Sequence, residues 1–425
     1  MKRKINITLK FIGYFLIYFS CYFNLPRLCA FLIITSLSKK FFENETRSKR
    51  VTIVLDRSIG HRDVEIIQEN SNKAPKFLFL RRSIPKLILF YFTNKKKFFF
   101  NYLNPSVEEK DYFNQNEKNR KKHEKFWSEV IFNLKINYNN KILNFVTFNY
   151  SYYAEVALYI GCVKNKIPLK LWSKEGIKTD FEAKIEEKNE GARYKHVFKL
   201  FQKISVYNKL VKKMYVAIDK SNSKKITVNG CPRLCDYVIK KRYIKNIKNI
   251  LFLSFDSRRG IPNIKKNKNF NWNLSYDIVI KILNELSNDK NINIVIKRKN
   301  RSTYQTRHKT DKRVKIFENG TAQKFINQAD IIIGHNSAST IEALVNGKHV
   351  MVPFFEKRLS LKEYLYDFNK EIIYTSEKKL KKSILKLVNK KVSFPFNNKK
   401  HQKTIEYYLG NRKNIVKKYL NFLNN

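Results

Sequence analysis

The chain has 425 residues, 43% of them hydrophobic and 14% aromatic, which is too apolar for a disordered basic polymer. Single cores rarely grow past ~250–300 residues, so this length predicts two lobes. Its 87 Lys and Arg against 35 Asp and Glu give a net charge of +52, a field that favours phosphates, nucleic acid or an acidic membrane face without choosing among them. Five cysteines, Cys21, Cys29, Cys162, Cys231 and Cys235, are an odd number with no CxxC pair. They predict neither a disulfide framework nor a zinc site.

Residues 11–37 (FIGYFLIYFSCYFNLPRLCAFLIITSL) form an apolar run preceded by Lys2, Arg3, Lys4 and Lys10 and followed by Lys39 and Lys40. A straight spanning helix needs ~20 apolar residues, but Asn24, Pro26 and Arg27 break this run into two pieces. A span, an interfacial or re-entrant anchor and a helix docked on protein all remain open, with a cleaved signal peptide ranked last. The basic flanks favour association with the cytoplasmic face of a membrane, in a bacterium the inner membrane.

Residues 50–56 (RVTIVLD) predict a first strand ending in a polar loop, SIGHRD, which holds His61, Arg62 and Asp63. Residues 77–80 predict a second strand, 84–92 a helix or third strand, and 94–120 a lysine- and asparagine-rich loop or solvated helix face. Residues 142–148, 152–164 and 168–172 then predict strand, helix and strand. The second half alternates more plainly: strand 250–254, helix 274–287, strands 292–296 and 314–317, helix 322–328, strand 330–333, helix 339–346 and strand 349–352. Such alternation predicts α/β lobes with parallel, doubly wound sheets. A Lys- and Asn-rich linker falls at 236–249, and an amphipathic helix at 406–423 is placed to pack back across both lobes.

In parallel sheets, ligands sit beyond the carboxyl ends of the strands, where helix N-termini offer free N–H groups to phosphates. Residues 329–344 (ADIIIGHNSASTIEAL) fit that design. Gly334 permits a tight turn, Asn336, Ser337, Ser339 and Thr340 offer small polar groups, and Glu342 is placed to accept from a sugar hydroxyl. The same residues from Ser339 to Glu342 also read as a capping box that needs no ligand. His335 lies in this turn, as ligand contact or as filler. Ser257, Arg258 and Arg259 follow strand 250–254, and Lys297 ends the next strand, so three strand ends present polar or cationic groups to one rim. In the first half, Glu175 and Asp63 are carboxylates at strand ends, each a candidate base or a partner for one of many cations. No Walker A, GxGxxG, HExxH or GxSxG pattern occurs, and no DxD triplet, so P-loop hydrolysis, common dinucleotide redox chemistry and a metal site are not expected.

Four segments together resemble a known family. Residues 229–236 (NGCPRLCD) are similar to a GxPRxD signature, 173–176 (SKEG) to a KEG element, 329–354 to a nucleotide-sugar segment and 408–411 (YLGN) to a C-terminal signature of surface-carbohydrate biosynthesis proteins, lipopolysaccharide or capsule, with a GT-B glycosyltransferase-like fold. The resemblance runs in order from residue 50 to 425. It implies two Rossmann-like domains facing across a cleft: an acceptor domain over 46–240, a nucleotide-sugar domain over 241–395 and a returning helix over 396–425; the apolar run read above gives a membrane-associating segment over 1–45 ahead of them. It implies that Ser337, Ser339, Thr340 and Glu342 contact the donor's ribose and phosphates, with Arg258 and Lys297 nearby. The expected reaction is metal-independent glycosyl transfer from a nucleotide sugar, a co-substrate with no further cofactor, to a lipid-linked or glycan acceptor. A nucleotide-sugar 2-epimerase is the enzymatic alternative. A basic nucleic-acid-binding protein is the alternative of another class, though no interleaved aromatic stripe or binding module supports it.

Overall fold

The computed structural model describes residues 2–36, 50–56, 58–93, 112–151, 153–173, 180–236, 243–244, 247–254, 273–298, 308–335, 337–355, 370–389, 392–393 and 399–424. Two helices come first, α1 (Lys2–Tyr22) and α2 (Pro26–Ser36). The chain reverses between them at Asn24, whose φ of 51° is a left-handed conformation that Asn tolerates better than most residues. Among the described residues no helix is long and apolar enough to cross a membrane, so the spanning alternative is not supported. Instead Tyr14, Ile17, Cys21, Cys29, Ala30 and Ile33 form a buried face within the core of the first lobe.

That lobe is built from β1 (Val51–Asp56), α3 (Ser58–Glu69), β2 (Lys76–Arg81), α4 (Ser83–Phe92), α5 (Glu117–Asn137), β3 (Ile142–Thr147), α6 (Val156–Lys164), β4 (Leu169–Trp172), α7 (Asp180–Phe198), β5 (Lys203–Val206), α8 (Lys209–Ile218) and β6 (Ile226–Val228). Its sheet has the order β2-β1-β3-β4-β5-β6, and every neighbouring pair is parallel. Its strands read as near-continuous apolar runs because helices cover both faces of such sheets.

A short antiparallel pair, β7 (Tyr243–Ile244) with a late partner, lies between the lobes in sequence. The second lobe comprises β8 (Asn249–Leu253), α9 (Asn273–Leu286), β9 (Asn293–Lys297), β10 (Lys315–Phe317), α10 (Ala322–Gln328), β11 (Ile331–Gly334), α11 (Ala338–Val345), β12 (His349–Pro353), β13 (Ile373–Tyr374) and α12 (Glu377–Val388), followed by β14 (Val392–Ser393), the partner of β7. The sheet order is β10-β9-β8-β11-β12-β13, parallel throughout. Renumbered within the lobe, this is the 3-2-1-4-5-6 order of dinucleotide folds.

Two expectations change, the loop at 58–63 and the single returning helix, and of the two alternatives for 94–120 the helix is seen at its end. The SIGHRD segment is the start of α3, not a loop, because Val64, Ile66 and Ile67 supply a buried helical face. Within the lysine-rich stretch, α5 begins at Glu117; Asn116 caps it by accepting from the Asn119 N–H, and Phe126, Trp127, Val130, Ile131 and Leu134 form its buried stripe. Residues 112–116 lead into α5 as a turn, and 94–111 lie outside the described residues. The single returning helix is two, α13 (Lys399–Leu409) and α14 (Ile415–Asn424), separated by a left-handed Gly410 and Asn414.

The second of these helices docks on the first lobe. Tyr419 stacks on Trp172 at 4.2 Å between ring centroids, and its hydroxyl donates to the Gly230 carbonyl at 2.9 Å. At the far end, Lys170, 1% exposed, donates to the Phe422 and Leu423 carbonyls at 2.8 and 2.7 Å, and Asn144 donates to the Leu423 carbonyl at 2.6 Å. A buried ammonium and amide thus satisfy the last carbonyls of α14, which have no partners inside the helix. Lys170→Ala should therefore lower the unfolding free energy by about 2 kcal/mol, measured by denaturant titration. Unchanged stability would show that α14 is not anchored by this contact.

Candidate functional site

The strand order of the second sheet reverses between β8 and β11, and in open parallel sheets the carboxyl ends of the strands at such a switch point are where ligands bind. Lys297, Leu253 and Gly334 occupy one row of the register across β9, β8 and β11. The chain leaves β11 at Gly334 and enters α11 through Ser337, whose backbone is extended (φ −155°, ψ 158°) and whose hydroxyl accepts from the Thr340 N–H at 3.3 Å. The Thr340 hydroxyl donates back to the His335 carbonyl at 2.6 Å. Gly334 is needed for that closure: a Cβ there would lie 2.7 Å from Thr340 Oγ1. The cap is thus Ser337 with Thr340, not the Ser339–Glu342 box. Ser339 lies inside the first turn, partly exposed, where N–H groups lack partners within the helix and the dipole is positive.

The remaining predicted residues divide. His335 is buried, packed edge-on to Phe252 at 6.2 Å, and desolvation pushes its pKa down to about 3, so it is a neutral ring at physiological pH. Lys297 donates to the carbonyls of Arg298 at 2.6 Å and Glu318 at 2.8 Å; burial lowers its pKa. Its charge is already solvated by backbone. Ser257, Arg258, Arg259, Asn336 and Glu175 lie outside the described residues.

Asp63 and Glu342, expected in different roles, meet at one side chain. Arg233 Nε lies 3.1 Å from Asp63 Oδ1 on α3, and Arg233 Nη1 lies 2.5 Å from Glu342 Oε1 on α11. One guanidinium therefore joins a carboxylate of each lobe. Asp63 also accepts from the buried Tyr207 hydroxyl at 2.5 Å. Burial by itself would lower the Arg233 pKa; Cys231, Glu342, Asp63 and Tyr207 around it more than offset this and push it up. Burial, then Asp63, pushes Tyr207 up, and burial first raises Cys231 to about 12, which makes it a thiol without nucleophilic character. Among the described residues no group of three or more His, Cys, Asp and Glu is placed to hold a metal.

Arg233 was legible only as part of a signature, because nothing in one sequence shows which carboxylates it reaches. The structure also brings that signature against the C-terminal one. Cys231 N–H donates to the Leu409 carbonyl at 2.7 Å and Asn208 donates to the Tyr408 carbonyl at 2.7 Å. Gly230 (φ +83°) and Gly410 (φ +79°) face each other so closely that a Cβ on Gly410 would lie 2.8 Å from Gly230 Cα. A second polar cluster was missed altogether. Glu155, fully buried, accepts from the Tyr159 hydroxyl at 2.6 Å and lies 3.9 Å from Arg82 Nε, beyond the end of β3. Its one sequence signal was the Tyr four residues on, the helical spacing that lets two side chains meet.

Comparison with known proteins agrees with this architecture. No protein-family model and no curated protein matches the chain. A solved structure assigned as a UDP-N-acetylglucosamine 2-epimerase from Listeria monocytogenes is similar over 88% of this chain and 95% of its own, at 12% identity and a TM-score of 0.50. The fold is GT-B-like. Two further structures cover the same share of this chain: UDP-GlcNAc 2-epimerase from Neisseria meningitidis bound to UDP-GlcNAc, at 13% identity, 98% of its length and a TM-score of 0.45, and an E. coli trehalose-6-phosphate protein bound with UDP-2-fluoro glucose, at 8%, 99% and 0.46.

Removing Arg233 leaves two buried carboxylates without their common partner, a loss of about 3–5 kcal/mol for a buried pair. Arg233→Ala should show this in equilibrium unfolding. Arg233→Lys should remain closer to Ala than to the original, since one ammonium does not reproduce the two-armed fork. Full stability in either variant would remove the triad from the account.

Proposed function

We propose that the chain is a metal-independent glycosyltransferase of surface polysaccharide or lipopolysaccharide biosynthesis, moving a sugar from a nucleotide-sugar donor to a lipid-linked or glycan acceptor at the cytoplasmic face of a bacterial inner membrane. The observation that carries this reading is the opening of α11 at the switch point of the second sheet, with Ser337, Ser339 and Thr340 in its first turn. A leaving diphosphate gains from fixed N–H groups and the helix dipole, and gains more as its charge develops.

In this reading the second lobe holds the donor and the first the acceptor. Arg258, Arg259 and Ser257 follow β8 in sequence and supply the cations and hydroxyl for the diphosphate; Lys297 marks the same rim with its ammonium held by carbonyls. Gly334 and His335 shape the turn that approaches the nucleotide, and Asn336, next in sequence, is a proposed contact to it. Glu175 is the proposed base. Asp63, buried against Arg233 and Tyr207, positions the lobes instead of taking a proton. Glu342 is proposed at the ribose edge, held there by Arg233.

The Listeria structure's name favours a second reading, a nucleotide-sugar 2-epimerase. The two separate on one assay. A transferase releases nucleoside diphosphate only with an acceptor; an epimerase converts the sugar nucleotide alone.

A thermal-shift screen of UDP, CDP, GDP and CMP and their sugars tests the shared premise. A ligand at 100 times its Kd adds about 2.7 kcal/mol, so one nucleotide family should raise the melting temperature clearly. Ser339→Asp should preserve the unliganded stability, since a carboxylate suits a helix N-terminus, yet abolish the shift by repelling the diphosphate. If no nucleotide stabilises the protein, or if Ser339→Asp responds normally, the donor site is not where we place it.

A further inference from the structure

The paired helices α1 and α2 have one face that the fold does not use. Tyr14, Ile17 and Cys21 of α1 are buried. Tyr14 pairs its hydroxyl with Ser83 of α4, and Tyr18 packs edge-on to Tyr91 at 5.2 Å. On the opposite side Ile12, Phe15, Phe19 and Tyr22 follow at the spacing of one helical stripe and are 47%, 44%, 38% and 64% exposed. The stripe continues around the turn with Phe23 and Leu25 and onto α2 with Phe31, 59% exposed. Seven of the fourteen well-exposed large hydrophobic side chains among the described residues fall in this one stretch. Next to it α5, on which α2 packs, adds Phe132 and Ile136, each about half exposed.

We infer that this face is an interfacial membrane anchor: the helix pair lies in the headgroup layer of an anionic bilayer, apolar stripe inward. Burying such a stripe in the acyl boundary recovers the hydrophobic energy that water denies it. Charge selects the occupant. Residues 2–36 contain Lys2, Arg3, Lys4, Lys10 and Arg27 and not one Asp or Glu, which suits anionic lipid. A second copy of this chain is disfavoured, because two molecules of net charge +52 would meet through surfaces of the same sign. Neither helix is long and apolar enough to cross the bilayer, so the pair is placed in the headgroup layer, with the first lobe nearest the lipid. The inference stands on this hairpin and not on the chemistry of the second lobe, so vesicle binding and nucleotide binding succeed or fail separately.

The test is cosedimentation of the full chain with vesicles of phosphatidylcholine alone and of phosphatidylcholine mixed with phosphatidylglycerol. Binding to the anionic vesicles should exceed binding to the neutral ones and weaken with salt. Phe15→Ser, Phe19→Ser and Phe31→Ser combined should reduce partitioning about tenfold or more, with melting temperature and nucleotide response unchanged. Should that variant fold poorly, Phe23→Trp in the otherwise unchanged protein reports instead: its emission should shift to the blue and be quenched by brominated lipid. Protein that stays in the supernatant, a triple variant that binds as well as the original, an unshifted Trp, or a dimer that the triple variant dissolves would each overturn the proposal.

Discussion

One guanidinium holds the two lobes in register. Arg233 follows the last strand of the first sheet, takes Asp63 from α3 with one nitrogen and Glu342 from α11 with another, and does so with little exposure to water. Burying three charges is costly in itself, so the arrangement persists only because the fork reaches two carboxylates while Tyr207 donates to the first of them. A carboxylate from each lobe makes the position of α11 relative to α3 part of the same electrostatic unit.

The chain path around Arg233 follows from that constraint. Pro232 to Asp236 must form a tight turn to aim the side chain, and the returning chain must pass directly over it. Left-handed Gly230 and Gly410 allow the two segments to touch without side chains between them, after which α14 continues onto the first sheet and is fixed by Trp172, Asn144 and Lys170. A single apolar core runs from Val64 and Phe148 through Cys231 and Leu234 to Ile341 and Leu344, closed by Tyr408 and Tyr419. Because Glu342 sits on the helix whose first turn is the proposed phosphate contact, whatever moves Arg233 also moves that turn.

Much of the scaffold was written in local pattern. The strands of the second lobe are short runs of Ile, Val, Leu and Phe between polar turns, and α10 was readable from Ala322 to Gln328 without error. What escaped depended on partners distant in sequence. The Ser58 to Asp63 segment looked like a loop because Ile59 is its one large apolar residue and the buried stripe of the helix lies beyond it, at Val64, Ile66 and Ile67. The four elements from α7 to β6 were not seen: α7 is Lys- and Glu-rich along its length with few apolar positions, so it gives periodicity little to act on, and β5 and β6 are short strands that begin beyond it. At the site, the turn from Gly334 to Thr340 was legible from its small residues, but its true cap, Ser337, competed with an equally good pattern two residues on. The meeting of Asp63 with Glu342 was invisible, since no local rule relates positions in different lobes.

The measurement that bears most directly on this account is a double-mutant cycle across the bridge, with Asp63→Asn and Glu342→Gln alone and combined, followed by equilibrium unfolding. Residues sharing one network couple by about 0.5–3 kcal/mol, whereas independent sites add within about 0.5 kcal/mol. If Arg233 ties the lobes through both carboxylates, the cycle will show coupling in the upper part of that range. Strict additivity would mean that the two carboxylates do not share a partner, and that Arg233 does not tie the lobes together.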